Sequence, residues 1–407
     1  MKFGGTSVAD ITRIEAAAKL IKDELIKENQ VVAVVSAMAG HTDNLTKKIE
    51  DISPLYDARE YSAIVSSGEN ITAGLLAITL QKMSINARSW QGWQVPINTS
   101  EEYSSARIVK ITTENLLHKF SVGMEVAVIA GFQGLAPDGR ITTLGRGGSD
   151  TSAVALSAAL NAERCDIFTD VDGIYTTDPR VCAKARKLQK ISYEEMLELA
   201  SLGAKVLQTR SVELATRYKV RLRVLSSFSN DRGINNGTFV CSEGEIVENK
   251  VIAGVAFSRN EAKVTITGIE DRPGIAALIF TMLSEQTVNV DMIVQNISDN
   301  GLTDMTFSCP IDQVRRAEQA LGKNNDNNNL QYDKLIIDQE ISKVSIVGIG
   351  MKTHAGTAKM MFEALARESI NIMVISTSEI KISVLIKRKY LELAVQTLHD
   401  TFELEKA

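Results

Sequence analysis

Thr142-Thr143-Leu144-Gly145-Arg146-Gly147-Gly148-Ser149-Asp150-Thr151 runs directly into an Ala-rich stretch, Thr151–Ala162, and then into Cys165–Phe168. The Ala-rich stretch carries its apolar residues at helical spacing, and Cys165–Phe168 is a short run of the kind that forms a buried strand. A glycine-rich turn at a helix start offers unpaired N–H groups to an anion, so Gly147, Gly148 and Ser149 line a candidate anion site. Arg146 adds a planar fork suited to a carboxylate or phosphate. Asp150 has two readings: a helix N-cap, or a residue acting near a bound phosphate through a metal or a lysine. The second does not exclude the first.

The same alternation extends outward. Val31–Val35 and Val126–Ala130 are unbroken apolar runs suited to parallel strands covered on both faces, and Ile11–Leu25 has the spacing of a helix. Strands alternating with helices predict an α/β three-layer sandwich with a mostly parallel sheet and ligands at the carboxyl ends of its strands. At 407 residues the chain is expected to hold more than one core. With 44% hydrophobic and 23% charged residues it has an ordinary globular composition, and its net charge of −5 offers no field for nucleic acid. No run approaches a bilayer span and no signal-peptide core is seen, so no membrane partner and a cytoplasmic location are expected. The four cysteines and four histidines are scattered, which predicts inert thiols, structural histidines and no protein-held metal site.

Beyond about residue 245 the chain repeats itself. Lys263-Val264-Thr265-Ile266-Thr267-Gly268-Ile269 recurs as Lys343-Val344-Ser345-Ile346-Val347-Gly348-Ile349. Each copy continues through a glycine (Gly274, Gly356), a helix, a second strand at Val288–Val290 or Ile370–Ile372, and a third at Met305–Phe307 or Ile382–Ile386. The period of roughly 80 residues marks two small α+β modules rather than a solenoid. The run Asn324–Asn329 between them reads as a solvated loop.

Four further features of the first part carry candidate chemistry. Lys2-Phe3-Gly4-Gly5-Thr6-Ser7 sets a lysine and two glycines before a helix; alone it is as compatible with a plain turn as with phosphate binding. Thr169-Asp170-Val171-Asp172-Gly173-Ile174-Tyr175-Thr176-Thr177-Asp178-Pro179-Arg180 follows the buried strand, and its Asp-Gly and Asp-Pro steps mark turns. Tyr175 and Arg180 could instead face a nucleotide. Ser36 ends a strand, and Glu69 opens a helix, where an acid also complements the dipole.

Taken in order, these stretches, with Ser36-Ala37-Met38, Ser67-Gly68-Glu69 and the paired modules, resemble the aspartate kinases, and the likeness runs to the C-terminus. Lys-x-Gly-Gly alone is shared with the wider amino-acid kinase superfamily; the Thr142–Asp150 string joined to modules resembling ACT domains is specific. The resemblance implies a kinase domain over 1–245, a linker strand and first ACT-like (βαββαβ) module over 246–338, and a second over 339–407. It implies ATP with Mg²⁺, the ion held largely by phosphates and water. It implies Lys2 and Asp150 as catalytic, Lys2, Phe3, Gly4 and Gly5 at the ATP phosphates, and Thr169, Asp170, Tyr175, Asp178, Arg180 and Lys205 at the nucleotide. Ser36, Thr42, Glu69, Arg146, Gly147, Gly148 and Ser149 should surround L-aspartate. Asp271, Gly274, Asn289, Asp291 and Gln295 should hold an effector, lysine and/or threonine, in a homodimer or larger homo-oligomer built through the modules. The chemistry agrees: the acceptor is already a carboxylate at neutral pH, so no general base is required.

Two departures qualify the match. The family places a full strand before the lysine matched by Lys2, whereas only Met1 precedes it here; a recorded start downstream of the true one is expected, the other reading being a crippled kinase. Thr353-His354-Ala355-Gly356 lacks the proline found in Asp271-Arg272-Pro273-Gly274, which leaves effector binding by the second module open. Two rival functions remain: a kinase of glutamate or N-acetylglutamate, and a non-catalytic amino-acid-binding regulatory subunit.

Overall fold

The computed structural model describes all residues except 203–205, 230–236, 247–250, 298–300, 323–329, 353 and 407. Lys205 and the Asn324–Asn329 run therefore lie outside the described residues. Two compact units are present: 1–174, 187–200 and 205–247 form the first, and 175–186, 201–204 and 248–407 the second.

In the first unit the chain forms β1 (Lys2–Phe3), α1 (Ile11–Leu25), β2 (Val31–Val35), α2 (His41–Ile52), α3 (Ala58–Val65), α4 (Ser67–Lys82) and β3 (Ala87–Trp90). There follow β4 (Ile97–Thr99), β5 (Ile108–Ile111), α5 (Glu114–Ser121), β6 (Val126–Ala130), β7 (Gln133–Leu135), β8 (Ile141–Thr143) and α6 (Gly148–Ala159). β9 (Cys165–Thr169), β10 (Lys190–Ser192), α7 (Tyr193–Ser201), α8 (Thr209–Tyr218), β11 (Leu222–Ser226) and β12 (Thr238–Cys241) complete it. An eight-stranded sheet runs β10-β12-β11-β9-β1-β2-β6-β3, and every pairing is parallel except β11 with β12. β4, β5, β7 and β8 make a smaller sheet beside it.

The unbroken apolar strands follow from cover on both faces. Val31, Ala33 and Val35 pack with Ile14, Ala17, Ala18 and Ile21 of α1 and with Ala73, Leu76 and Leu80 of α4. Val34 points to the other face and is equally buried, and α6 packs against β2 and β9. Asp10 caps α1 by accepting from the Arg13 N–H at 2.8 Å, a contact of about 1 kcal/mol. α6 begins three residues earlier than its apolar spacing suggested, because Gly147, with φ of 70°, serves as N-cap. Asp150 is thus in the first turn and does not cap the helix. One expectation is corrected: Ala58–Lys82 is a helical stretch with the length and hydropathy of a bilayer span. Half of its apolar window is buried in the fold, as in a core helix, and Ser66 divides it into α3 and α4.

The second unit contains β13 (Gly254–Glu270), α9 (Ile275–Glu285), β14 (Asp291–Ile297), β15 (Leu302–Cys309), α10 (Val314–Leu321) and β16 (Lys334–Val347). α11 (Thr357–Arg367), β17 (Val374–Thr377), β18 (Lys381–Lys387) and α12 (Leu391–Thr401) follow. One six-stranded sheet, β14-β15-β13-β16-β18-β17, serves both repeats. Its spine is the long antiparallel pair β13 and β16: Lys263–Thr267 pairs with Lys334–Asp338 in the first module, and Gly254–Ser258 with Lys343–Val347 in the second. Each module thereby borrows a strand from beyond its own repeat, and the 338/339 division falls inside β16. The second strands start later than read from sequence, at Asp291 and Val374, because Val288 and Ile370 turn inward to the cores instead of joining the sheet.

Candidate active site

The motifs of the first unit meet at the carboxyl ends of its central strands. β1 lies between β2 and β9, and its phosphate-loop candidate begins with the Gly4 N–H donating to the Phe168 carbonyl at 3.1 Å. Ser7 follows in a short 3₁₀ turn and donates its hydroxyl to Ser227 Oγ at 2.8 Å. Arg13 donates to the Ser227 carbonyl at 2.7 Å and stacks over the Phe228 ring, so α1 and the end of β11 hold this loop from one side.

Lys2 and Asp150 come together although 148 positions apart in the chain. Lys2 Nζ lies 2.5 Å from Asp150 Oδ1, and both side chains are nearly buried. Asp150 reaches this place because α6 starts at Gly148 and its first turn points at β1.

A second contact joins β2 to α4. The Ser36 N–H donates to the Phe3 carbonyl at 3.1 Å, and the next N–H, of Ala37, donates to Glu69 Oε1 at 3.0 Å. Gly68 permits this approach, since a Cβ there would lie 2.7 Å from the Ala37 Cβ. Glu69 is only 3% exposed, and its Oε2 has no partner among the described residues. Burial pushes its carboxyl up to about 7, against the opposing pull of the Ala37 and Glu69 N–H groups. A carboxylate so placed is set to receive a cation.

The Leu144–Gly148 turn stands near these groups. Leu144 donates its N–H to the Phe132 carbonyl at 2.8 Å, and Ser149 is buried against Gly131. Arg146 is exposed and has no ion pair among the described residues. Thr42 sits in the first turn of α2, half-buried.

The Thr169–Arg180 run is divided. Thr169 ends β9 and Asp170 follows it, both in the first unit, the Thr169 hydroxyl donating to Asp170 Oδ1 at 3.1 Å. Tyr175, Asp178 and Arg180 belong to the second unit. There the Val255 N–H donates to the Thr176 carbonyl at 2.7 Å, and His399 Nε2 lies 2.9 Å from Thr176 Oγ1. Arg180 pairs with Asp178 at 2.7 Å, and its hydrogen bond holds the Asp178 carboxyl below the ordinary value.

Sequence reasoning missed several supports. Arg210, Gln208, Arg13 and Ser227 carry no motif, and the charge of Arg210 was indistinguishable from any surface arginine. All four cysteines are buried and unpaired. A hollow of about 290 Å³ in the first unit lies at the amino ends of the strands beside Val31 and Cys165, away from these groups. Among the described residues no cluster of His, Cys, Asp or Glu could hold a metal.

In the second unit Asp271 and Gly274 precede α9, and Gly274, with φ of 91°, is its N-cap. The Asn289 N–H donates to Gln313 Oε1 at 2.7 Å, and Gln295 lies in β14. Asp291 is already engaged: Lys343 Nζ lies 2.7 Å from its carboxylate and 2.9 Å from that of Glu261. Burial raises the Asp291 carboxyl, but the Lys343 hydrogen bond and charge outweigh it and hold the group below its ordinary value. A hollow of about 480 Å³ in the second module is bordered by His354, Gly356, Ser378 and Glu379.

The amino acid kinase family model matches residues 1–226, and the ACT domain model matches 264–324 and 344–402. An aspartate kinase of Pseudomonas putida is 49% identical over 404 residues, covering 99% of this chain and 97% of that one. The chain belongs to the aspartate kinases. It is a phosphotransferase that uses a nucleotide to phosphorylate the side-chain carboxylate of aspartate, and its ACT domains serve allosteric regulation. Among solved structures, Escherichia coli aspartokinase III in complex with lysine and aspartate (T-state) is 25% identical with a TM-score of 0.75, covering 98% of each chain. The same enzyme in complex with aspartate and ADP (R-state) has a TM-score of 0.78 at 24% identity, and shares the fold over 99% of both chains.

Proposed function

We propose that the groups gathered at the ends of β1, β2 and β9 divide the reaction as follows. Lys2 and the Gly4–Gly5 backbone receive the ATP phosphates, with Phe3 anchoring the loop, and Asp150 holds Lys2 in place. Glu69 receives the α-ammonium of aspartate and Arg146 its α-carboxylate, with Ser36, Thr42, Gly147, Gly148 and Ser149 around them. Thr169, Asp170, Tyr175, Asp178, Arg180 and Lys205 serve the nucleotide. Mg²⁺ fits as an ion carried in on the phosphates, since the donors present are a lysine and main-chain N–H groups rather than a carboxylate cage; bound there, it would neutralise phosphate charge. The acceptor carboxylate attacks the γ-phosphorus and ADP leaves, so the protein's task is alignment and charge neutralisation.

The observation that carries this reading is the buried Glu69 carboxylate with one unpartnered oxygen, next to the peptide N–H groups that tie β2 to Phe3. Losing a charged hydrogen bond of this kind costs about 1.5–3 kcal/mol, hence roughly a tenfold to hundredfold drop in kcat/KM for aspartate. Glu69→Gln should show that drop while its KM for ATP stays near wild type. Full aspartate turnover in the variant would refute the assignment.

For regulation, Asp271, Gly274, Asn289, Asp291 and Gln295 are proposed to hold lysine and/or threonine, in a dimer paired through the ACT domains. The lysine complex of the E. coli enzyme supports a lysine effector. Lys343 already supplies Asp291 with an ammonium, so an effector's ammonium must displace it or share the carboxylate.

A further inference from the structure

Arg210 opens α8 some 60 positions beyond the Leu144–Gly148 turn, yet it holds that turn directly. One guanidinium nitrogen donates to the Leu144 carbonyl at 2.9 Å and the other to the Ala106 carbonyl at 2.7 Å. The Ala106 N–H in turn donates to the Thr143 carbonyl at 2.9 Å, so the fork ties together two main-chain segments that already pair. Leu144 and Ala106 are both buried. Arg210 itself is half-buried and makes no ion pair with a carboxylate among the described residues; burial and the neighbouring Arg107 both work against its charged form.

The preceding residue but one grips the far end of the same turn. Gly147, at φ of 70°, would place a Cβ 1.9 Å from Gln208 Cγ, so the Gln208 side chain lies flat against the glycine. The start of α8 therefore fixes the turn at Leu144 and at Gly147. Arg146 stands between these two anchors, exposed to solvent.

An arginine is an expensive way to fill such a space. An apolar side chain of similar volume would avoid the desolvation cost. What the guanidinium provides is geometry: two charge-assisted bonds in a rigid fork. We infer that Arg210 is a positioning residue for aspartate, fixing the turn that presents Arg146 so that little ordering remains when the substrate binds. This rests on the assignment of Arg146 to the α-carboxylate. Preorganising a binding loop in this way raises affinity without a new substrate contact.

The test compares Arg210→Lys and Arg210→Met with Arg146→Ala and with Arg146→Ala combined with each, varying aspartate and ATP in turn. Lysine keeps the charge but not the fork, so Arg210→Lys should raise the KM for aspartate about tenfold, with the KM for ATP within about twofold. Arg210→Met, where soluble, should lose more. In the Arg146→Ala background neither change should add to the aspartate KM, because the group being positioned is gone. An unchanged aspartate KM in Arg210→Lys overturns the inference. So does an equal rise in both KM values, or the same factor recurring in the Arg146→Ala background, since each marks a general structural role. If Arg146→Ala alone leaves the aspartate KM unchanged, the parent assignment fails; an effect there without one from Arg210→Lys refutes only the positioning role.

Discussion

Glu69→Gln should make the kinase unit more stable at pH 8 and less stable at pH 4.5. The wild-type carboxyl is 3% exposed and is pushed from 4.5 to about 7 by burial. Between those two pH values the folded protein holds a proton that the unfolded chain has released. Stability therefore falls as pH rises through that window, by 1.36 kcal/mol per unit, and the full loss of about 3 kcal/mol is present above pH 7. Glutamine keeps an oxygen for the Ala37 N–H and carries no charge, so it escapes that loss. Its amide nitrogen replaces the unpartnered Oε2 and stays unpaired, which costs about 1 kcal/mol at every pH. The expected difference is then about 2 kcal/mol in favour of the variant at pH 8, reversing to about 1 kcal/mol against it at pH 4.5. Urea unfolding followed by tryptophan fluorescence isolates the right unit, because the two tryptophans, Trp90 and Trp93, both lie in it. Curves of stability against pH that remain parallel for the two proteins would refute the reasoning.

Arg146→Ala should lower kcat/KM for aspartate roughly tenfold to hundredfold, the weight of one charged hydrogen bond, and Arg146→Lys should remain impaired because it loses the fork; steady-state kinetics at fixed ATP decide it, and unchanged efficiency rejects the assignment. Asp291→Ala should weaken inhibition by lysine or threonine while uninhibited turnover stays near wild type, read from activity against effector concentration. Identical inhibition curves would remove Asp291 from the effector site. Lys343→Met should destabilise the second unit by about 3 kcal/mol, because Glu261, 6% exposed, is then buried without its cation; calorimetry showing an unshifted transition counts against that network.

Much of the architecture was legible because it is written in local pattern. Val31–Val35 and Val126–Ala130 read as doubly covered strands, and both are strands of the parallel sheet. The repeat at Lys263 and Lys343 was visible as sequence identity, and its two copies pair with their neighbours in one sheet. The start of α6 was misplaced because apolar spacing begins at Thr151, whereas the helix is opened by a left-handed glycine whose conformation leaves no periodic trace. Val288 and Ile370 were read as strand residues for the related reason that an apolar residue entering a core looks alike on a strand and on the loop before it.

What stayed illegible is chemistry made by distance in the chain. Local pattern does not join a lysine at position 2 to an aspartate at 150; the family resemblance, with Asp150 acting through a lysine, points to the pair, and the sheet order makes it by setting β1 beside the first turn of α6. Asp291 and Lys343 are a sharper case. Sequence offered Asp291 as an open acceptor for an amino acid's ammonium, but β13 and β16 run together as one long pair, and this brings Lys343 of the second repeat to the edge of the first. The strand exchange that buries each module's core also supplies Asp291 with a cation from the other module. An effector binding there cannot act on one repeat alone: any ammonium that takes the Asp291 carboxylate from Lys343 alters the buried Lys343–Glu261 pair, which links β16 to β13, the two strands both modules share. On the effector site proposed above, the coupling would follow from the pairing of the strands, with Lys343 as its only side-chain link.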